Sequence, residues 1–299
     1  MLAIIRKELA DYFNSFRFII LFILVLGLSA LALYSAHQGI RGSGSEGFIF
    51  LRLFTTEPTG VDNEFAFFFN YINFIPLVFI PLVGTLLGFD AINKERTTGT
   101  LSRIISQPVY RDSVINGKFL ASLFILAVMM AASILIVAGY GLRMIGVPPS
   151  AEEIVRLFIY FIDILIFGAF WIALAMLFSV VFRNLATSII LSMVLWLFFS
   201  FGIYYIARSV ADSAEAFQRI LTFSPNWIFG QASSTVLYPT VRTLGTISAE
   251  QAAFMMPNPL SLGQSLMVIW PYMVGLISLS AICFAVSYIV FMRQEVRAQ

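Results

Sequence analysis

Charge is what this chain has least of. Of its 299 residues only 11% are charged, where a soluble domain carries about a quarter. Bases and acids nearly cancel, 18 against 16, for a net +2. That balance excludes binding to nucleic acid by phosphate neutralisation, and the scarcity of charge excludes a disordered, self-repelling chain. A single cysteine, Cys283, forbids an internal disulfide, and a single histidine, His37, leaves no His/Cys set for a metal. With one of each, a nucleophile–base dyad is nearly excluded as well. A phosphate-binding Walker A loop is also missing, since Asn116-Gly117-Lys118-Phe119 has neither the upstream glycine spacing nor the hydroxyl. No internal repeat and no soluble domain stand out.

What is abundant is apolar surface. Hydrophobic residues make up 60% of the chain, 31 of them phenylalanine, and the mean hydropathy is +0.91. Such a composition excludes a water-soluble globule. A hydrocarbon core about 30 Å thick is crossed by about 20 apolar residues in helix, because unpaired backbone groups are not tolerated in lipid. Six segments qualify, at about Phe18–Ala36, Phe67–Phe89, Phe119–Leu142, Ile154–Phe182, Ala186–Ala207 and Val268–Met292. Pro76 and Pro81 should kink the second. The expected fold is therefore an all-α membrane protein of one domain, 1–299. It divides into an interfacial helix at 1–17, five spans over 18–207, an outer segment at 208–267 and a sixth span at 268–292. Most of the 18 basic residues, Arg6, Lys7, Arg17, Lys94, Arg96, Arg103, Arg111 and Lys118 among them, fall in the segments that are inside if the N-terminus is inside. The positive-inside rule then places both termini in the cytoplasm. Glu8, Asp11 and a long apolar run favour a retained anchor over a cleaved signal at the start.

Three stretches between spans carry pattern. Residues 2–16 put Leu2, Ile5, Leu9, Tyr12, Phe13 and Phe16 at three- and four-residue steps, with Arg6, Lys7, Glu8, Asp11 and Asn14 largely opposite. That describes a helix lying in the headgroup plane with its polar side out. In the 90–118 loop, Gly99 can end one helix and Thr100 can cap the next; Leu101, Ile104 and Ile105 share an apolar face, and Pro108 stops it. Asp112 or Ser113 can cap a further helix running into span three. A short rod, charged on one side and apolar on the other, suits docking into a groove on a cytoplasmic partner; a solvated loop obeying the positive-inside rule fits the same residues. The outer segment 37–66 is glycine-rich at first. The outer segment 208–267 is too apolar for a solvated loop and too broken for a span, so short interfacial or re-entrant helices fit it, either as a lid or as packing.

Within the spans, Asp163 is the one deep ionisable residue: a proton relay, a substrate contact, or a structural acid bonded to a neighbouring helix. Arg156, seven residues earlier, points to the same face but lies too far along the helix to pair with it. Gly84 and Gly88 are spaced for close helix approach. Cys283 reads as a small apolar residue and His37 as an interfacial one.

The 90–118 loop also carries a resemblance. Asp90-Ala91-Ile92, Glu95-Arg96 followed by Gly99-Thr100-Leu101, Ser106-Gln107-Pro108-Val109, Arg111 and Gly117-Lys118-Phe119 resemble the membrane subunits of type-2 ABC transporters. The Arg6-Lys7-Glu8-Leu9 lead, the six spans and Ser224-Pro225 fit the same pattern; the glycine-rich insertion at 39–47 departs from it. Leu260-Ser261-Leu262-Gly263-Gln264 looks like the signature loop of cassette ATPases, but it stands in the outer segment without companion nucleotide motifs and is a coincidence. The resemblance implies an exporter's permease, in the plasma or inner membrane, that pairs with a second copy or a related permease and with two cytoplasmic ATPase subunits. ATP and Mg would bind the ATPase, and this chain would bind no cofactor or metal. It further implies a coupling helix near Thr100–Gln107 braced by the Glu95–Gly99 turn, so that Glu95, Arg96, Gly99, Thr100, Leu101, Ile104, Ile105, Pro108 and Arg111 form the ATPase-coupling site. Two other readings remain: a proton-coupled carrier using Asp163, and a scaffold that relays ATPase motion without moving a substrate.

Overall fold

The computed structural model describes residues 1–42, 50–55, 71–74, 78–100, 110–146, 148–238 and 260–294. Among these residues every regular element is helical. In chain order they are α1 (Leu2–Phe13), α2 (Phe16–Gly42), α3 (Arg52–Thr55), α4 (Tyr71–Phe74), α5 (Ile80–Gly88), α6 (Asn93–Thr97), α7 (Arg111–Ile145) and α8 (Ala151–Val181). There follow α9 (Leu185–Leu197), a π-helical turn (Phe198–Gly202), α10 (Ile203–Val210), α11 (Ala214–Leu221), α12 (Pro225–Leu237) and α13 (Leu262–Arg293).

Five helical stretches are long and apolar enough to cross a membrane: Phe16–Tyr34, Arg111–Met144, Ala151–Val181, Leu185–Val210 and Leu262–Arg293. They coincide with expected spans one, three, four, five and six. The helices overrun the apolar segments because their ends are built from capping residues that hydropathy ignores. Ser150 caps α8, accepting from the Glu153 backbone while the Glu153 side chain accepts from the backbone of Ser150. Ser261 and Gln264 make the same box at the start of α13, which accounts for the signature-like Leu260–Gln264 string as a helix start. Span three begins earlier than expected. Tyr110 is its N-cap without a side-chain bond, so neither Asp112 nor Ser113 caps it; the Asp112 carboxylate instead accepts from the Ser113 backbone. Expected span two falls on α4 and on α5, nine residues long and too short alone to count among the five. Pro81 sits in the first turn of α5, where no backbone donor is needed. Pro76 lies outside the described residues, as do the stretches 43–49, 56–70 and 239–259 of the two outer segments.

α8 is the hub. Of its most apolar stretch 67% is buried, against 11% for Leu185–Val210 and 17% for α13. Trp171, Phe167, Ile164, Ile172 and Tyr160 are buried to within a few per cent. Lipid tails are as apolar as leucine, so close packing rather than water exclusion must hold such helices together. Gly84 and Gly88 provide it: a Cβ at Gly84 would stand 2.6 Å from Trp171 Cβ, and one at Gly88 2.7 Å from Ala175 Cβ. α12, within 208–267, is packed between α8 and α13 with Phe229, Ala232, Val236 and Leu237 buried. Ser224 starts it, accepting from the Trp227 backbone with Pro225 in the first turn.

Arg156 ties this end together. It is fully buried, and its guanidinium donates to Glu152 Oε1 (2.7 Å), to the carbonyls of Val236 (3.1 Å) and Leu260 (2.7 Å), and to Ser265 Oγ (3.1 Å). One side chain thus closes the last turn of α12 and the approach to α13, a planar fork used on carbonyls and a carboxylate together.

Replacing Gly84 with valine forces α5 off α8 and should lower unfolding stability in detergent by about 1–3 kcal/mol. Gly275, with nothing within 4 Å of an added Cβ, is the control, and Gly275→Ala should leave the unfolding temperature unchanged or slightly raised.

Candidate functional site

The site is built where α1, the turn after α5 and the first turns of α7 meet. α1 brings Ile4, Glu8 and Tyr12 to one stripe at four-residue spacing, and the stripe packs on α7, where a Cβ at Gly117 would meet Ile4 Cγ2 at 2.9 Å. Glu8 is therefore buried rather than on the polar side as its chemistry suggested. Its Oε1 accepts from Lys118 Nζ (3.0 Å) and Lys7 Nζ (2.9 Å). Glu95, on α6, offers Oε1 to the same two ammoniums, at 2.9 Å from Lys118 and 3.3 Å from Lys7. Lys7 also lies 3.3 Å from Asp11. Lys118 and Glu95 are 5% and 8% exposed at the side chain, so both charges are held by each other's company.

The electrostatics follow from this geometry. Burial alone would raise the Glu8 carboxyl, but the Lys118 charge and the Lys7 and Lys118 hydrogen bonds outweigh it and hold the group below its ordinary 4.5. Burial disfavours the Lys7 charge too, yet the Glu8 hydrogen bond and the charges of Glu8 and Glu95 hold it above its ordinary 10.5. Alongside, Tyr12 Oη donates to the Leu87 carbonyl (2.8 Å) and lies 3.1 Å from Ser122 Oγ; its burial raises the phenol. Arg17 pairs with Asp90 and sits over the Phe89 ring at 5.7 Å. Between α1 and the turn lies a cleft of about 720 Å³ with these groups in its walls.

The remaining expected site residues divide. Arg96 Nη2 donates to Gln294 Oε1, and Gln294 Nε2 in turn donates to the Val180 carbonyl at 2.9 Å. Burial, then the nearby Arg183 charge, lower the Arg96 guanidinium from its usual value. Arg111 Nη1 donates to the Gln294 carbonyl (3.1 Å), placing a cation at the C-terminal end of α13 where the helix dipole favours one. Gly99 adopts φ +70°, the left-handed conformation that ends α6. Thr100 Oγ1 donates back to the Glu95 carbonyl at 3.3 Å. Leu101, Ile104, Ile105 and Pro108 lie outside the described residues.

Two anchors escaped the sequence reading. Gln294 looks like an ordinary tail residue, and nothing in the string marks it. Asn93 is fully buried, its Nδ2 donating to Ser188 Oγ (2.8 Å), while Ser179 Oγ accepts from the backbones of Ile92 and Asn93. Glu8 had a signal that could have been used, its place in the Ile4–Tyr12 stripe.

Asp163 is separate from this site. It is fully buried in α8, where Ser233 Oγ of α12 donates to Oδ2 at 3.1 Å and Oδ1 has no partner among the described residues. Arg156 is committed elsewhere, as the spacing implied. Among the described residues, no three His, Cys, Asp or Glu side chains converge on a metal-sized site.

Comparison with known proteins bears on the whole chain. The profile of the family described as "ABC-2 family transporter protein" matches residues 2–296. A protein of Pseudomonas aeruginosa named "Probable ABC transporter permease protein NosY" is 29% identical over 154 residues, 52% of this chain. The matched stretch is 49% of that protein, so the chain spans about half the length of the curated relative it matches.

Lys118→Met leaves two buried carboxylates with Lys7 alone and should cost about 3–5 kcal/mol, recovered in part by adding Glu8→Gln and Glu95→Gln. Stability should also depend on pH at both ends. Glu8 is depressed on folding, so its contribution is present above pH 4.5 and is lost as the pH falls below that value; Lys7 is raised, so its contribution is present below pH 10.5 and is lost as the pH climbs past it. Unfolding in detergent across pH 3–11 reads both limbs, and Glu8→Gln should flatten the acid one.

Proposed function

Because this chain belongs to the ABC-2 family of transporter proteins, we propose that it is the membrane permease subunit of an ABC transporter that moves its substrate outward. Residues 1–299 act in it as one permease unit with both termini in the cytoplasm of a plasma or inner-membrane protein. α4 and α5 supply the sixth crossing, beside the five long helices. Two permease chains, identical or related, pair with two cytoplasmic ATPase subunits that bind ATP and Mg, and this chain hydrolyses nothing itself. The segment Thr100–Gln107 seats in the ATPase groove.

The observation that carries this reading is how the 90–100 turn is held. Glu95 joins it to α1 and α7 through Lys118 and Lys7, Asn93 to α9 through Ser188, Ile92 and Asn93 to α8 through Ser179, and Arg96 to the end of α13 through Gln294. A push on a turn fixed to five helices moves all of them rather than deforming the turn. In this reading Glu95 and Arg96 pass on force and are not themselves the docking face; Leu101, Ile104 and Ile105 supply that face. Arg111, holding the end of α13, keeps the last span in the same rigid group.

A second reading has one observation in its favour, the fully buried Oδ1 of Asp163, which has no partner among the described residues and suits a proton carrier. Reconstitution separates the two. We expect Ile104→Asp together with Ile105→Asp to abolish co-purification with the partner ATPase subunit and to leave the fold intact. Asp163→Asn should leave ATP-driven transport within about fivefold, since one buried hydrogen bond is worth about 1 kcal/mol. Transport by the purified chain alone, driven by a proton gradient and lost in Asp163→Asn, would overturn the permease reading.

A further inference from the structure

The cleft beside the ionic cluster has a composition that coupling does not require. Four cations and four carboxylates line it, so its field favours neither an anion nor a cation. Most of these charges are spent on one another: Lys7 and Lys118 on Glu8 and Glu95, Arg17 on Asp90. Two groups are left over, on adjacent residues. Lys94 is exposed and has no carboxylate within ion-pair distance among the described residues. Glu95 keeps Oε2 buried and without a hydrogen-bond partner among the described residues, while Oε1 carries both lysines. Apart from the hydroxyls of Tyr12, Ser15, Thr98 and Thr100 the rest of the wall is apolar, with Phe16, Phe18 and Leu21 leading onto the exposed Ile20 and Ile23 of α2.

We propose that this cleft binds the headgroup of an aminophospholipid, phosphatidylethanolamine, with its acyl chains along α2. The phosphate meets Lys94, and the primary ammonium donates to Glu95 Oε2, the acceptor that lacks a donor. A short ethylene link between the two lipid charges suits two protein charges on neighbouring residues. The quaternary ammonium of phosphatidylcholine has no N–H to give that oxygen, and an anionic glycerol headgroup brings no cation to it. An ordinary basic lipid patch has an excess of Lys and Arg; here the balance of charge selects a zwitterion, and the unsatisfied carboxylate oxygen selects among zwitterions. The inference rests on α1 and the start of α2 lying at a membrane surface, as the permease reading has them.

The test uses the full chain, delipidated in detergent and then incubated with equimolar phosphatidylethanolamine, phosphatidylcholine and phosphatidylglycerol, with bound lipid counted by native mass spectrometry. Phosphatidylethanolamine should be retained about tenfold over the other two, the worth of one charge-assisted hydrogen bond to a buried oxygen. Lys94→Ala should remove that preference with no change in unfolding temperature, because Lys94 lies outside the ionic cluster; Glu95→Gln should remove it as well. Equal retention of the three lipids, a preference for phosphatidylglycerol, or full retention in Lys94→Ala would overturn the site. Flotation with vesicles of each lipid distinguishes the two levels. A chain that floats without preference loses only this site, and a chain that floats with none loses the membrane-surface reading along with it.

Discussion

One ammonium fixes the geometry on which the candidate site depends. Lys118 stands in the second turn of α7, buried, and its Nζ reaches a carboxylate from α1 and another from α6. Taking a charge out of water costs several kcal/mol, and the cost is tolerable only where counter-charges are already in place. The α1 helix and the α6 turn must therefore arrive together, and each arrival specifies the other. Gly117, next to Lys118, removes the side chain that would keep α1 away. A glycine for approach followed by a lysine for attachment makes a two-residue docking point for the N-terminal helix.

A second rigid point stands at the opposite end of α8, where Arg156 gathers Glu152, α12 and the approach to α13. The two points differ in kind. Lys118 balances opposite charges contributed by separate elements, whereas Arg156 pairs with a carboxylate of its own helix and spreads its other donors over the carbonyls of Val236 and Leu260 and the Ser265 hydroxyl. Between them α8 is packed on glycines, so the bundle has a stiff middle with polar clasps at both ends. α9 and α10, by contrast, turn most of their apolar surface away from the bundle, as a wall facing lipid or another chain does.

Five of the six expected spans were legible as long apolar helices because hydropathy is a property of each residue by itself. α8 was readable to within three residues at either end and α13 at its C-terminal end, though it starts six residues earlier than expected, and Gly84 and Gly88 announced their close packing by spacing alone. What stayed hidden depended on distance across the fold. Nothing local tells Gln294 from any tail glutamine, yet it holds Arg96 and the end of α8 at once. Glu8 was put on the polar face because it is charged, although its position belongs to the buried stripe; residue type outweighed periodicity where periodicity was the better guide. Over 208–267 the broken apolar pattern left a lid and packing both open; in α12 the polar residues Asn226, Gln231 and Ser233 are buried, which no local pattern announces.

The π-helical turn at Phe198–Gly202 interrupts the wall helix at one level. There the Ser224 hydroxyl donates to the Phe199 carbonyl at 2.7 Å and still accepts from the Trp227 backbone, while Asn226 Nδ2 donates to Ser200 Oγ at 2.7 Å. The irregularity is thus a socket, and the first turn of α12 is the plug seated in it. Because two side chains of its first turn are fixed at that one level, the height of the inner helix against the wall is set there, and nowhere else along the irregular turn has to be matched.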